Sequence, residues 1–384
     1  MTGHGWPLAP SQAFPLLPLA PADAAHSRRS EASLVALRDG SVLLAYGRHT
    51  GPNDPGYAKL KSERVVRYGG DSAIERDNDF GEIVVVRLDT QGRRLTEERV
   101  LVPAPADGIN AMSPALRRLP DGRLGMLYSH RQSTRVASRR FLTSADEGDT
   151  WSDPVIVAAG GYKTGCHDRF NVLSTGRVLA PCHGGDDFDS HYRSIWVAWS
   201  DDLGATWRTG RVIEVPKVSW PDGQFMESGC NEPGVVERAD GTLLLTMRTA
   251  LGTQFCSESA DRGETWSSPG SLEVISPNAP AHLSRLPGSD DLLLVWTPNY
   301  DARAPMNGHR HTVLACISSD GGRSWPHARR KTLVHDPTRN TDYPAVFFHG
   351  REAWIALRQS DDPVVIKGRM STCLMRVPLA WFYS

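Results

Sequence analysis

The chain has 384 residues, with 43 Lys and Arg against 44 Asp and Glu, a formal charge of −1 and a pI near 6.9. That balance, without basic clusters, argues against nucleic acid as the main partner. No apolar run is long enough to cross a bilayer as a helix, so no membrane partner is expected either.

The 35 glycines and 27 prolines are spread along the chain, as in a turn-rich β protein, and no capped helical periodicity interrupts them. Met1–Ala25 lacks a basic n-region and its prolines break any apolar core, so it does not read as a secretory signal. The expected location is cytoplasmic, with secretion of a processed form left open. None of the six cysteines (Cys166, Cys182, Cys230, Cys256, Cys316, Cys373) forms a CxxC pair, which argues against a zinc ribbon. Buried thiols are expected rather than disulfides.

In chain order, residues 1–27 are expected to be an extended segment. A repeated unit then begins: an apolar run, a turn containing Gly, and a second apolar run. The copies are Leu34–Tyr46, Ala115–Tyr128, Phe170–Pro181, Val235–Met247, His282–Trp296 and Ala345–Leu357. Three turn at Asp-Gly, at Gly40, Gly122 and Gly241, a strong hairpin signal. The one long gap, residues 49–80, is polar and rich in turn residues, so it reads as an insertion on one loop.

A second repeat runs out of phase with the first. Ser144–Trp151, Ser200–Trp207, Ser259–Trp266 and Ser318–Trp325 share the form S-x-D-x-G-x-[T/S]-W, spaced 56, 59 and 59 residues apart. A decayed copy at Leu88–Leu95 keeps the Gly but lacks the Asp and Trp at their places. Asp and Ser side chains bond nearby N–H groups, Gly supplies the positive φ, and Trp packs the corner. Repeats of this length imply an array of β units. Six such units would make residues 28–384 a single all-β domain, a six-bladed β-propeller with few free edges.

These Asp-boxes on a six-unit array resemble the sialidase (neuraminidase) superfamily, of the bacterial exo-α-sialidase type, over nearly the whole chain from about residue 28. The family carries a Tyr/Glu nucleophile pair, an arginine cluster for the substrate carboxylate and an Asp acid/base. Asn231-Glu232-Pro233, with Met247-Arg248-Thr249 on the hairpin partner, is similar to the family's Glu and second Arg. Gly308-His309-Arg310-His311 is similar to the third Arg, with Arg303 a nearby competitor. Asp342-Tyr343-Pro344 opens the final hairpin as the nucleophilic Tyr does. Tyr46-Gly47-Arg48 through Asp54 resembles the acid/base loop, with Asp54 the closest match and Asp71 and Asp79 as alternatives. The family's first Arg stands in Arg-Ile-Pro; the matching register here is Ser30-Glu31-Ala32, with Arg28 and Arg29 just upstream, so either Arg29 serves from a shifted backbone or the first carboxylate contact is altered.

The resemblance implies a retaining glycosidase releasing a terminal sialic acid or related keto-sugar acid. Tyr343 is the implied nucleophile, Glu232 its base and Asp54 the acid/base. Arg29, Arg48, Arg248 and Arg310 would bind the acid, and no metal or organic cofactor is required. A phenol that starts neutral avoids the repulsion an anionic nucleophile would meet at a carbon bearing a carboxylate. Arginine suits the acid because its planar fork makes paired, charge-assisted bonds. A non-catalytic carbohydrate-binding array and a hydrolase of another acidic sugar are the alternatives. His167-Asp168-Arg169 opens the third hairpin and is as well read facing the centre as hydrogen-bonded at a strand end. The ligand-rich run His183–His191 has no metal spacing and reads as a polar loop. Phe225-Met226-Glu227 reads as an apolar wall or as core.

Overall fold

The structure is a computed structural model that describes residues 10–50, 79–106, 108–133, 135–186, 194–214, 218–219, 225–226, 229–363 and 368–384. The described chain is all-β, apart from short 3-10 turns. Its strands fall into consecutive antiparallel units in which each strand pairs with the next.

The first unit is Arg28–Ala36, Val42–His49, Gly81–Leu88 and Arg99–Val102. The second is Asn110–Arg118, Leu124–Arg131, Ala137–Ser144 and Val155–Ala158. The third is Asn171–Val172, Val178–Gly185, Ser194–Ser200 and Arg208–Thr209. The fourth is Asn231–Glu237, Leu243–Arg248, Thr253–Ser259 and Gly270–Ile275. The fifth is His282–Arg285, Leu292–Trp296, Thr312–Ser318 and Lys331–His335. In the sixth, Thr341–His349, Glu352–Ser360 and Met370–Pro378 take their fourth strand from the start of the chain, Leu16–Ala20.

Residues 10–27, expected to form a separate extended segment, instead contribute strands to the array. Leu16–Ala20 covers the edge of Met370–Pro378, and Ser11–Gln12 pairs with Lys331–His335. Both are edges that would otherwise be open to another chain. The first strand of unit 1 touches those of units 2 and 6, and the first strand of unit 5 touches those of units 4 and 6. Apolar clusters fill the space between neighbouring units, one joining Leu34 and Leu44 to Trp354 and Leu374 across units 1 and 6.

Each hairpin turn expected between first and second strands is present, with a left-handed glycine at Gly40, Gly122, Gly176, Gly241, Gly288 and Gly350. Each Asp-box lies between a third and a fourth strand. In the box at Ser200, Gly204 N–H donates to Ser200 Oγ at 2.8 Å, Thr206 N–H donates to Asp202 Oδ1 at 2.8 Å, and Trp207 Nε1 donates to Gly204 O at 3.1 Å. The boxes at Ser144 and Ser259 repeat this set. In the decayed copy Asp89, one place early, caps the turn by accepting from Gln91 and Arg93 N–H. No disulfide joins the six cysteines, five of which are buried.

Candidate active site

One irregularity recurs at the start of the first strands. Glu31, Ser113, Asp168, Glu232 and Tyr343 all have a positive φ, between 48° and 63°, in units 1, 2, 3, 4 and 6. In units 1, 2, 4 and 6 the pairing register slips there by one residue. Such a bulge re-aims a side chain, and a left-handed non-glycine residue costs about 1–3 kcal/mol, which the surrounding structure must offset. Two of the five, Glu232 and Tyr343, meet.

Tyr343 Oη donates to Glu232 Oε1 at 2.7 Å. Arg248 Nη1 donates to Glu232 Oε2 at 2.6 Å and approaches Tyr343 Oη at 3.3 Å. Arg248 reaches them because it ends the second strand of unit 4, directly opposite Asn231. Glu232 N–H donates to His183 Nδ1 at 3.2 Å, which fixes the backbone at the bulge. Burial would push the Glu232 carboxyl up, but Arg248 beside it outweighs that and holds it down at about 2. The Tyr343 phenol is driven well above its ordinary value by burial and by the Glu232 charge. The pair is thus an anionic acceptor facing a neutral donor, and Tyr343 keeps part of its side chain exposed to solvent.

Below the phenol lies a buried ion cluster. Asp342 accepts from Arg310 Nη1 at 2.8 Å and from Arg358 Nε and Nη2, each at 2.7 Å. Burial opposes its charge, yet Arg358 and Arg310 hold its carboxyl down at about 2. The Arg358 guanidinium lies 4.1 Å from the centroid of the Tyr343 ring, and Arg310 lies at 5.8 Å. Asn278 binds both Arg248, through Oδ1, and Arg310, through its carbonyl. His167 stacks on Tyr343 at 5.5 Å, and its Nε2 lies 3.2 Å from the Tyr343 carbonyl oxygen. Burial and the Arg169 charge lower its imidazole to about 3, so it is neutral.

Tyr343, Glu232, Arg248 and Arg310 therefore come together, while Arg303 is exposed elsewhere. Arg29 does not join them. It turns the other way, to Glu98, Asp23 and the Pro21 carbonyl at 2.9 Å each. The reason is strand alternation, since neighbouring side chains point to opposite faces. Arg28 is the one that faces Ser30 and Glu31, close enough to Arg358 to oppose its charge. Arg48 also lies apart, bound to Glu82 and, at 2.6 Å, to Glu98. Asp54 and Asp71 fall outside the described residues, as do Glu227 and Asp187 through His191, and nothing is described of the Phe225 and Met226 side chains. Asp79 is buried, and its carbonyl accepts from Asn110.

Arg358 has a sequence signal that the motifs above leave unused, and His167, open between the centre and a strand end, does face Tyr343. Leu357-Arg358-Gln359 closes an apolar second strand just as Met247-Arg248-Thr249 does, and Arg358 pairs with Asp342 as Arg248 pairs with Asn231. His167 precedes a left-handed Asp168 as Asn231 precedes Glu232.

Comparison with known proteins bears on the family and the fold. The chain belongs to the BNR repeat-like domain family, whose model matches residues 69–352. It is 25% identical over 334 residues to a sialidase of Micromonospora viridifaciens, covering 77% of this chain but only 44% of that protein, less than half its length. Among solved structures, a Dyadobacter fermentans protein of unknown function superposes with a TM-score of 0.68 at 18% identity, covering 96% of this chain and all of that one. A mutant of the NanB sialidase from Streptococcus pneumoniae also gives 0.68, at 11% identity, covering 96% of this chain and 71% of that one. At these identities the solved structures establish the shared fold, a propeller-like β array.

Proposed function

We propose that this chain is a retaining exo-glycosidase of the sialidase type, built on a six-bladed propeller, that removes a terminal sialic acid or related keto-sugar acid. The observation that carries the proposal is the 2.7 Å hydrogen bond from Tyr343 Oη to Glu232 Oε1. A half-buried tyrosine has no structural need for an anionic partner, and Arg248 already pairs with that carboxylate and offsets its burial. Together the phenol and the carboxylate form a nucleophile with its base.

In the proposed reaction the Tyr343 oxygen attacks the anomeric carbon as the bond to the leaving oxygen breaks. The phenol proton passes to Glu232, and an acid on the 49–80 insertion, Asp54 or one of its alternatives, protonates the leaving group. The same acid, now a base, takes a proton from water, which displaces Tyr343 from the same carbon as Glu232 returns its proton to the phenol oxygen, giving net retention. Glu232, ionised at any working pH, accepts only as the attacking oxygen becomes acidic, so the enzyme holds no free phenoxide. Arg248, between Glu232 and the phenol, keeps Glu232 ionised before the step and opposes the negative charge the phenol oxygen gains as its proton leaves. Arg310 and Arg248 are the proposed grip on the substrate carboxylate. The reading needs no metal or organic cofactor.

Hydrolysis of an aryl sialoside by the parent and by Tyr343→Phe is the test. A loss of at least about a hundredfold in kcat is expected, and full retention contradicts the nucleophile. One observation favours a related acidic sugar over sialic acid itself. Ser30 stands where relatives are expected to carry the first arginine, and Arg29 is turned away to Glu98. A panel of keto-acid glycosides separates the two substrates, and a chain that binds them without releasing product is a carbohydrate-binding array instead.

A further inference from the structure

Arg358 is a buried cation with an unusual neighbour. Its guanidinium is clamped by both oxygens of Asp342, at 2.7 Å each, and lies 4.1 Å from the centroid of the Tyr343 ring. Arg310 lies farther from that ring, at 5.8 Å. A guanidinium within about 6 Å of an aromatic centroid is attracted by the ring, and more so where water is excluded. Arg358 is only 7% exposed.

Resting on the nucleophilic role proposed for Tyr343, we infer that Arg358 is a positioning residue for that phenol, holding its ring and stabilising the negative charge it acquires when its proton leaves. The charge of a phenoxide spreads into the ring, so a cation over the face opposes it without occupying the oxygen that must attack. Asp342 sets the height and tilt of the guanidinium through its two-pronged contact, which lysine cannot reproduce. Adjacency in sequence explains the arrangement. Asp342 and Tyr343 are neighbours on the bulged strand, and Arg358 is the cross-strand partner of Asp342.

Glu232 raises the phenol's proton affinity, whereas Arg248, Arg358 and Arg310 lower it. His167, stacked on the ring, is neutral. Asp342 stays ionised between its two arginines.

The experiment places a fluorinated tyrosine, whose phenol ionises nearer neutrality, at position 343 and follows its 19F shift against pH in the otherwise unchanged chain, in Arg358→Met and in Arg358→Lys. The expected result is ionisation about one pH unit or more higher in Arg358→Met, a tenfold change in proton affinity, with Arg358→Lys in between. Parallel kinetics on an aryl sialoside, with residue 343 left as tyrosine, are expected to show kcat falling about tenfold or more in Arg358→Met with KM changed far less. An unchanged 19F titration, or a shifted titration with unchanged kcat, overturns the inference. The double variant Asp342→Asn with Arg358→Met removes both charges and guards against loss of folding from a stranded Asp342. It is expected to titrate above the parent but below Arg358→Met, because the lost Asp342 charge offsets part of the lost cation, and a titration at or below the parent's overturns the inference as well. The 19F readout needs no substrate. A chain with no hydrolytic activity but a shifted titration sinks the proposed function while leaving the electrostatic relationship standing.

Discussion

Glu232 and Tyr343 occupy the same place on two different units. Each is a left-handed residue, with φ of 48° and 52°, each sits at a one-residue bulge at the head of a first strand, and each precedes a proline. The hydrogen bond between them thus joins two equivalent positions, one from unit 4 and one from unit 6. Glu31, Ser113 and Asp168 hold that position on units 1, 2 and 3, where Ser113 Oγ donates to Glu31 Oε2 at 2.6 Å and Ser33 Oγ to Asp168 Oδ1 at 2.7 Å. The fold offers one repeated device for turning a side chain, and the chemistry depends on which residue each unit places there.

Replacing Glu232 by Gln removes the proton acceptor while keeping the shape. The expected outcome is a loss of about 10²–10⁴ in kcat, the range of a positioned general base, with the fold intact by circular dichroism. A variant within threefold of the parent would remove Glu232 from the mechanism.

Arg29 and Arg310 are predicted to behave differently. Arg310→Met is expected to raise KM for an acidic glycoside by about tenfold or more, because a charge-assisted contact is worth about 1.5–3 kcal/mol. Arg29→Met breaks the contacts to Glu98 and Asp23, so it is expected to lower the melting temperature and leave KM alone. Steady-state kinetics and a thermal melt on both variants check the contrast.

Acid should unfold the chain through the buried carboxylates. Glu232 and Asp342 are both held at about 2 in the folded protein, below their ordinary values of 4.5 and 3.8. The unfolded state therefore binds more protons, and stability rises with pH across this window. Their contribution is fully present above about pH 4.5 and is lost as pH falls toward about 2. The melting temperature of Asp342→Asn should depend less on pH than the parent's between these limits, and an equal slope would count against the assignment.

Two glycines with the same backbone conformation separate strain from crowding. Gly160, at φ +91°, has open space where a Cβ would go, whereas at Gly204, φ +92°, a Cβ would lie 1.9 Å from the Phe141 ring. Gly160→Ala is expected to cost about 1–2 kcal/mol, from the left-handed backbone alone. Gly204→Ala adds overpacking of about 1–3 kcal/mol, because it drives the Asp-box into the core of the neighbouring unit. Chemical denaturation of both variants measures the difference.

The Asp-boxes and glycine hairpins were legible because their cause is local. A carboxylate, a hydroxyl and a left-handed glycine within eight residues determine the turn wherever they recur, whereas Tyr343, Glu232 and Arg248 were singled out through the family resemblance of their strand-end motifs. Arg28 and Arg29 could not be told apart, because Ser30 pairs with Gly47 while Ser33 pairs with Ala45, so an extra residue at Glu31 reverses the alternation counted back from Leu34. Arg358 was missed for a different reason. Its partner Asp342 is sixteen residues away, across a hairpin, and only the register makes them neighbours. The place of Leu16–Ala20 in the last unit is likewise a contact between the two ends of the chain, which no local pattern announces.

The central claim is that the Tyr343 oxygen becomes bonded to the sugar. A fluorinated keto-sugar acid with a good leaving group, which slows release from the enzyme, would trap that state. After incubation and digestion, mass spectrometry should find the sugar on the peptide containing Tyr343, and the Tyr343→Phe chain should carry none. Sugar release with no adduct on that peptide, or an adduct on another residue, would contradict the account.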